Sequence, residues 1–272
     1  MSLTQVVVLA ILQGITEFLP ISSSAHLALA PWLFGWKDQG LTFDIALHIG
    51  TLAAVGLYFF RDWVQLVAQA FGVRHGRDPE LAANRRLLWL LAAATVPAAV
   101  AGYFLKETVE TTLRSPVVMG VMLIAIGGVM AVAERVGRRL RGIARITLGD
   151  AMIIGGAQAL ALVPGTSRSG ITISAGLFRG LDRAAAARFS FLLSTPVVAA
   201  AAAKAMLDLV EQGGVPAQLA SHFALGVVLS AVTGCLAISL LLRFLRNHGL
   251  YVFIYYRIAF GALVLALAAW AR

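Results

Sequence analysis

Charged residues are scarce in this 272-residue chain: Asp, Glu, Lys and Arg make up 13 % of it, against about 25 % in an ordinary soluble domain. Hydrophobic residues make up 60 %. So little charge cannot cover a globule with a wettable surface, which excludes a soluble enzyme. The same balance excludes disorder, because disordered chains are polar and poor in large apolar groups. Cysteine occurs once, as Cys235 inside an apolar run, so neither an internal disulfide framework nor a cysteine-based metal site can form. Acidic residues are outnumbered, 13 to 22, for a net charge of +9. That excess does not point to nucleic acid, and no nucleic-acid partner is expected. The cations sit in short clusters between apolar runs, as topology determinants do, rather than on one polar face. The opening MSLTQVVVLAILQGITEFLP has no basic n-region and no small-residue cleavage site, so it reads as part of the mature protein.

What is abundant is membrane-length apolar sequence. Six stretches are long and clean enough to cross a bilayer: 42–60, 87–105, 116–133, 189–210, 222–242 and 249–270. Two others, 3–36 and 146–178, are broken near their centres by LPISSSAH and VPGTSRSG. Each is too short for two crossings of about 20 residues and too interrupted for one simple helix. Broken backbone is tolerated at membrane depth only inside protein or beside a wet cavity, so each reads as a re-entrant pair of half-helices. The expected fold is an all-α polytopic membrane protein, one integral domain over 1–272, with six full transmembrane helices and two re-entrant segments.

The arginines set the orientation. They cluster in 61–86, 134–145 and 179–188 and at Arg243 and Arg246, while the connections holding Lys37, Lys106 and Arg114 are poor in cations. The positive-inside rule puts the Arg-rich set in the cytoplasm. Segment 146–178 then starts and ends on the cytoplasmic side, 3–36 dips in from outside, and both termini face out. An offset of 144 places Pro20 on Pro164, Ser22 on Thr166, Ser23 on Ser167 and Thr51 on Thr195. With opposite entry sides, this predicts inverted repeats over about 1–133 and 146–270, meeting near the midplane where repeat-built transporters place their sites.

Polar and ionisable groups at that depth are functional candidates. The first break offers Gln13, Glu17, Ser22, Ser23, Ser24 and His26. Gln13 and Glu17 are four apart, hence on one helix face. The serines stand where a second half-helix begins, a position whose free N–H groups favour anions. Glu17 is suited to binding a cation or orienting a base, and His26, within reach of either serine hydroxyl, to acting as base or nucleophile. The plain alternatives are helix capping for the serines and a Glu–His pair kept for packing. The second break offers Gly165, Thr166, Ser167, Arg168, Ser169 and Gly170. Glycines let backbone approach a ligand, hydroxyls donate, and Arg suits forked recognition of phosphate oxygens. The alternative there is an Arg168 that only neutralises Glu17. The segment is not a P-loop, since GxxxxGK[ST] is missing. His48 reads as facing the site or, more simply, as bonded to a backbone carbonyl, Arg257 as snorkelling to the interface, and Trp32, Trp36, Trp63, Trp89, Tyr251, Tyr255 and Tyr256 as interfacial belts.

QGITEFLPISSSAH resembles the first signature of the undecaprenyl-pyrophosphate phosphatases of the bacitracin-resistance type, and PGTSRSG resembles their second. The resemblance implies hydrolysis of undecaprenyl pyrophosphate to undecaprenyl phosphate and inorganic phosphate in the bacterial inner membrane. That reaction recycles the carrier lipid for peptidoglycan synthesis and confers bacitracin resistance. It also implies a divalent cation, Mg²⁺ or Ca²⁺, with Glu17 as its ligand. Glu17, Ser23, His26 and Arg168 would be catalytic; Gln13, Ser22, Gly165, Thr166, Ser167, Ser169 and Gly170 would bind substrate. Gln13 stands where many members carry Glu, which weakens any mechanism needing two carboxylates here. Ser23 and His26 both remain candidates for the nucleophile. A transporter or flippase built on the same repeats is the rival reading, and monomer and homodimer are both open.

Overall fold

In the computed structural model, residues 1–111, 113, 115–211, 214 and 219–270 are described, so Arg114 lies outside them. Regular structure among the described residues is helical, apart from an isolated bridge between Arg141 and Leu181. The helices in chain order are α1 (Leu3–Phe18), α2 (Ser23–Phe34), α3 (Leu41–Tyr58), α4 (Phe60–Ala70), α5 (Pro79–Ala83), α6 (Leu87–Thr111), α7 (Pro116–Val136), α8 (Leu148–Ala159), α9 (Arg168–Phe178), α10 (Arg183–Glu211), α11 (Ala220–Asn247) and α12 (Tyr251–Trp270).

Among the described residues, five helical stretches are long and apolar enough to cross a membrane: Leu87–Leu105, Pro116–Val136, Arg183–Lys204, Ala220–Asn247 and Tyr251–Trp270. The expected span 42–60 reaches that standard only together with α4, which leaves α3 at an angle of 66°. The apolar run 189–210 begins earlier than its hydropathy suggests, because the Asp182 carboxylate accepts from the Ala185 N–H at 2.8 Å and caps α10. Arg183 and Arg188 therefore belong to the first turns of a helix, not to a loop.

The arginines also do more than mark a side. Arg141 and Arg179 both bond the buried Asp150 carboxylate, at 2.6 and 2.7 Å. Arg183 and Arg139 meet the buried Glu134. Arg188 bridges Asp62 at 2.6 Å and Asp78 at 2.8 Å. Burial opposes the Asp78 charge, but the Leu81 N–H and Arg188 outweigh it and hold that carboxyl below its ordinary value. The connections flanking 146–178 touch directly. Gly180 O accepts from the N–H groups of Leu140 and Arg141 at 3.0 and 3.1 Å, and Asp182 N–H donates to Arg141 O at 2.9 Å.

Small residues let the helices close around the centre, as in membrane packing generally. A Cβ on Gly14 of α1 would lie 1.9 Å from Thr233 Oγ1 of α11, and one on Gly155 of α8 would lie 2.1 Å from Ala94 O of α6. Phe18, at the end of α1, meets Phe191 of α10 edge-on at 5.6 Å. These contacts fix the ends of the broken segments against full-length helices.

Candidate functional site

Both apolar segments break where proline stands. Pro20 follows α1, and Pro164 follows a 3-10 turn, Leu160–Leu162, that ends α8. Proline lacks an N–H and disfavours helical backbone before it. In each case a serine then takes positive φ just before the next helix: Ser22 at 76° ahead of α2 and Ser167 at 67° ahead of α9. Such backbone costs a non-glycine residue on the order of 1–3 kcal/mol and persists only where its surroundings enforce it. The second break is one residue longer, and Gly165 at φ 92° takes up the extra turn.

The offset of 144 therefore holds at the prolines and shifts by one in the turn that follows them. Ser22 matches Ser167, not Thr166, and Ser23 matches Arg168, not Ser167, an offset of 145. The hydroxyl pairs agree with that register: Ser22 and Ser24 hydroxyls lie 3.2 Å apart, and Ser167 and Ser169 hydroxyls also lie 3.2 Å apart. Ahead of the prolines, Gln13 and Gln158 are likewise 145 apart, and both are buried.

The two breaks meet, and Glu17 is their junction. Its Oε2 accepts from Ser23 Oγ at 2.7 Å and from Gln13 Nε2 at 3.1 Å. Its Oε1 accepts from Arg168 Nη2 at 2.8 Å. Thus the first residue of each second half-helix, Ser23 and Arg168, bonds the same carboxylate. His48 Nδ1 donates to Asp44 O at 2.7 Å, as expected, while its Nε2 lies 3.8 Å from Glu17 Oε2. Further stitches join the loops: Ser169 Oγ donates to Leu19 O at 3.1 Å and Gly165 N–H to Ser24 Oγ at 3.4 Å. Ser167 Oγ caps α9 by accepting from Gly170 N–H at 3.1 Å.

His26 is placed differently from the sequence expectation. Its Nδ1 lies 2.7 Å from Ser22 O, and a carbonyl only accepts, so Nδ1 carries a proton. The Nε2 of a neutral ring then accepts from the Tyr256 hydroxyl, also at 2.7 Å. The ring stacks on Tyr256 and Phe260, with centroids at 5.7 and 4.7 Å. Both nitrogens are thereby engaged away from Ser23, and it is Glu17 that orients the serine hydroxyl. Tyr256, expected in an interfacial belt, is in fact the His26 partner.

Arg257 does not snorkel. It is fully buried at 0 % exposure, and its guanidinium donates to Leu123 O at 3.2 Å, Pro20 O at 3.2 Å, Gly165 O at 2.9 Å and Thr166 O at 3.0 Å. A broken helix leaves carbonyls that nothing in hydrocarbon can satisfy. Arg257 supplies donors to those of both breaks at once. The signal available in the sequence was a cation placed well inside the last apolar run.

Several polar atoms near the junction are buried and lack a partner among the described residues: Arg168 Nη1, Thr166 Oγ1 and Gln13 Oε1. Orphaned buried polar groups of this kind call for a ligand or water. Two of the three suit phosphate oxygens. Among the described residues no three His, Cys, Asp or Glu side chains gather to cage a metal. One carboxylate does fit Mg²⁺ bound in its usual phosphate-borne manner, through one or two carboxylates plus substrate oxygens.

Fold and site together define a multi-pass helical membrane protein whose polar centre, built from two broken helices, sets a carboxylate-oriented serine beside an arginine. The family model described as "Bacitracin resistance protein BacA" matches residues 6–263, and the chain belongs to that family. It is 50 % identical over 263 residues to the undecaprenyl-diphosphatase of Desulforudis audaxviator, covering 96 % of each chain. It is 44 % identical to that of Pelotomaculum thermopropionicum over 99 % of this chain and 98 % of the relative. The Gemmatimonas aurantiaca undecaprenyl-diphosphatase is 46 % identical over 99 % of both.

Proposed function

We propose that this protein hydrolyses undecaprenyl pyrophosphate to undecaprenyl phosphate and inorganic phosphate, as the names of its relatives describe for them. The observation that carries the reading is the single carboxylate, Glu17, that bonds both the Ser23 hydroxyl and the Arg168 guanidinium. In this reading Ser23 is the nucleophile and Glu17 its base. As Ser23 Oγ bonds to the terminal phosphorus, its proton passes to Glu17, and the bond from that phosphorus to the bridging oxygen breaks. The electron pair leaves on undecaprenyl phosphate. Glu17 sheds that proton as undecaprenyl phosphate departs; water then attacks the phosphoserine and gives a proton to Glu17, which passes it to Ser23 Oγ as the phosphorus–Oγ bond breaks and inorganic phosphate is freed. The unpartnered Arg168 Nη1 and Thr166 Oγ1 receive the phosphoryl oxygens, where charge develops. His26, fixed by Ser22 O and Tyr256, holds the turn that aims Ser23. Glu17 and Gln13 Oε1 would hold Mg²⁺ or Ca²⁺, which supplies charge neutralisation on the pyrophosphate. Ser22, Ser167, Ser169, Gly165 and Gly170 shape the cradle through backbone and caps.

The finer architecture belongs to the same reading: six crossings, two re-entrant segments and inverted halves, in the bacterial inner membrane with termini outside. Its support is the backbone pairing of 140–141 with 180–182, which brings the two ends of 146–178 together. Cysteines introduced at 134–145 and 179–188 on a Cys235→Ser background should share one labelling side with an impermeant thiol reagent; opposite labelling would overturn re-entrance. For the activity, purified protein should release phosphate from a C55 or C15 pyrophosphate. No release by wild type, in the presence of Mg²⁺ or Ca²⁺, would overturn the assignment.

A further inference from the structure

The connection after α3 holds a feature that phosphatase chemistry does not use. Helix α4 turns 66° away from α3, and it is amphipathic. Phe60, Val64, Val67 and the following Phe71, spaced 4, 3 and 4 apart, are all exposed, Phe60 at 63 % and Phe71 at 72 %. That spacing is one helix face. The opposite face buries Gln65 and Leu66. Phe71 meets exposed Trp89 edge-on at 6.5 Å, and Trp marks the depth at which apolar lipid gives way to headgroups. A helix with this stripe lies in the interface with its apolar face among acyl chains.

A cleft of about 290 Å³ opens directly beyond that stripe, lined among others by Gln69, Arg74, His75, Gly76 and Arg85. Its walls are held in place. Gln65 Nε2 donates to Asp78 O at 2.8 Å and Gln65 Oε1 accepts from Asp78 N–H at 3.1 Å, which closes the loop on α4. A Cβ at Gly76, φ +94°, would lie 2.1 Å from Gln65 Oε1. The neighbouring carboxylates of Asp62 and Asp78 are already committed to Arg188. The cleft is thus left cationic, and it also holds a buried unpartnered acceptor, Gln69 Oε1.

We infer that this cleft binds the headgroup of an acidic phospholipid, with the phosphate between Arg74 and Arg85 and the acyl chains along the α4 stripe. Arginine provides forked donors for phosphate oxygens. Gln69 Oε1 provides an acceptor for a headgroup hydroxyl, which a glycerol headgroup has and a choline headgroup lacks. The occupant is a lipid rather than free phosphate, because Gly72 and Val73 of the cleft lining directly follow Phe71 of the apolar stripe, and only a lipid uses both. The inference is independent of the hydrolytic reading and of which leaflet α4 occupies.

Full-length protein reconstituted with equal phosphatidylglycerol and phosphatidylcholine would be extracted gently, and retained lipid counted by native mass spectrometry. Wild type should keep phosphatidylglycerol preferentially. Arg74→Gln with Arg85→Gln should weaken that retention roughly 10- to 30-fold, on the order of fivefold for each cation at an anionic surface. Arg74→Lys with Arg85→Lys, which keeps the charge, should retain most of it. Arg61→Gln with Arg77→Gln removes the same charge outside the cleft and should change retention by about twofold or less, by screening. Equal losses in the two neutralised pairs would reveal diffuse attraction and overturn the site. So would equal retention of the two lipids by wild type, or displacement of phosphatidylglycerol by excess inorganic phosphate.

Discussion

The two broken segments share a skeleton and differ in what they carry on it. Each runs helix, proline, a positive-φ serine and a second helix, with a serine two residues beyond the first that lies 3.2 Å from it. The first position of the second helix is where they part: Ser23 in one, Arg168 in the other. One half brings the hydroxyl and the carboxylate beneath it, and the other brings the cation. In the proposed mechanism the equivalent residues on both sides, Ser22 with Ser167 and Ser24 with Ser169, perform scaffold tasks, and chemistry sits where the equivalence ends. The same test reassigns emphasis among the serines, which look alike in a motif and are not alike in the fold.

The largest effects should come from breaking the junction. Arg168→Ala and Glu17→Gln should each lower kcat for phosphate release by roughly 10³-fold or more, the scale of a lost charge-stabilising group in phosphoryl transfer. Ser23→Ala should fall as far, whereas His26→Gln should retain more activity than Ser23→Ala if His26 only holds the Ser22 turn. An equal loss in both would return His26 to the list of possible nucleophiles. Chelation should abolish most turnover yet leave the thermal midpoint of lipid-free protein unchanged, because a phosphate-borne ion has no cage to stabilise. A midpoint that falls with chelator would show a resident metal instead.

Arg257 tests what the halves have in common. Arg257→Met strips donors from carbonyls of both breaks, each costing about 1–3 kcal/mol when left unsatisfied in a buried place. Thermal unfolding should therefore fall sharply and activity with it, and Arg257→Lys should recover part, since a single ammonium cannot reach carbonyls on both loops. Retention of full stability in Arg257→Met would mean that water, not arginine, satisfies the breaks.

The breaks, the charged and hydroxyl residues and most spans were legible in the sequence because membrane depth makes polarity expensive and proline ends helices. The meeting of Glu17 with Arg168, 2.8 Å apart across 151 residues, followed from pairing two breaks that neither could satisfy alone. Arg257 and Tyr256 were not legible. Hydropathy reports how apolar a helix is, not which way a side chain points, and an arginine lined by carbonyls looks the same in sequence as one reaching for the interface. The one-residue slip in the repeat register was hidden for a related reason. Pro20 and Pro164 align by identity, but Gly165 adds a turn residue that only backbone angles reveal. The bend after Tyr58 and the early start of α10 were set by amphipathicity and a cap, both local features that a search for long apolar runs overlooks.

The smallest effects should lie in the paired serines, and they sharpen the comparison most. Ser22 and Ser167 both hold positive φ, so glycine at either position relieves backbone strain, on the order of 1 kcal/mol. Their side chains differ: Ser167 Oγ accepts the Gly170 N–H at 3.1 Å, while Ser22 makes no cap bond. Ser22→Gly should thus raise the thermal midpoint, and Ser167→Gly should do so less, since a serine cap exchanged for glycine loses a few tenths of a kcal/mol. Alanine keeps the strain and removes the hydroxyl, so Ser167→Ala should be less stable than Ser22→Ala by about 1 kcal/mol. None of the four should shift kcat by more than a few-fold if these hydroxyls serve the scaffold. A drop of about a hundredfold in Ser22→Gly, with its midpoint raised, would place the Ser22 hydroxyl on substrate and end the symmetry between the two caps.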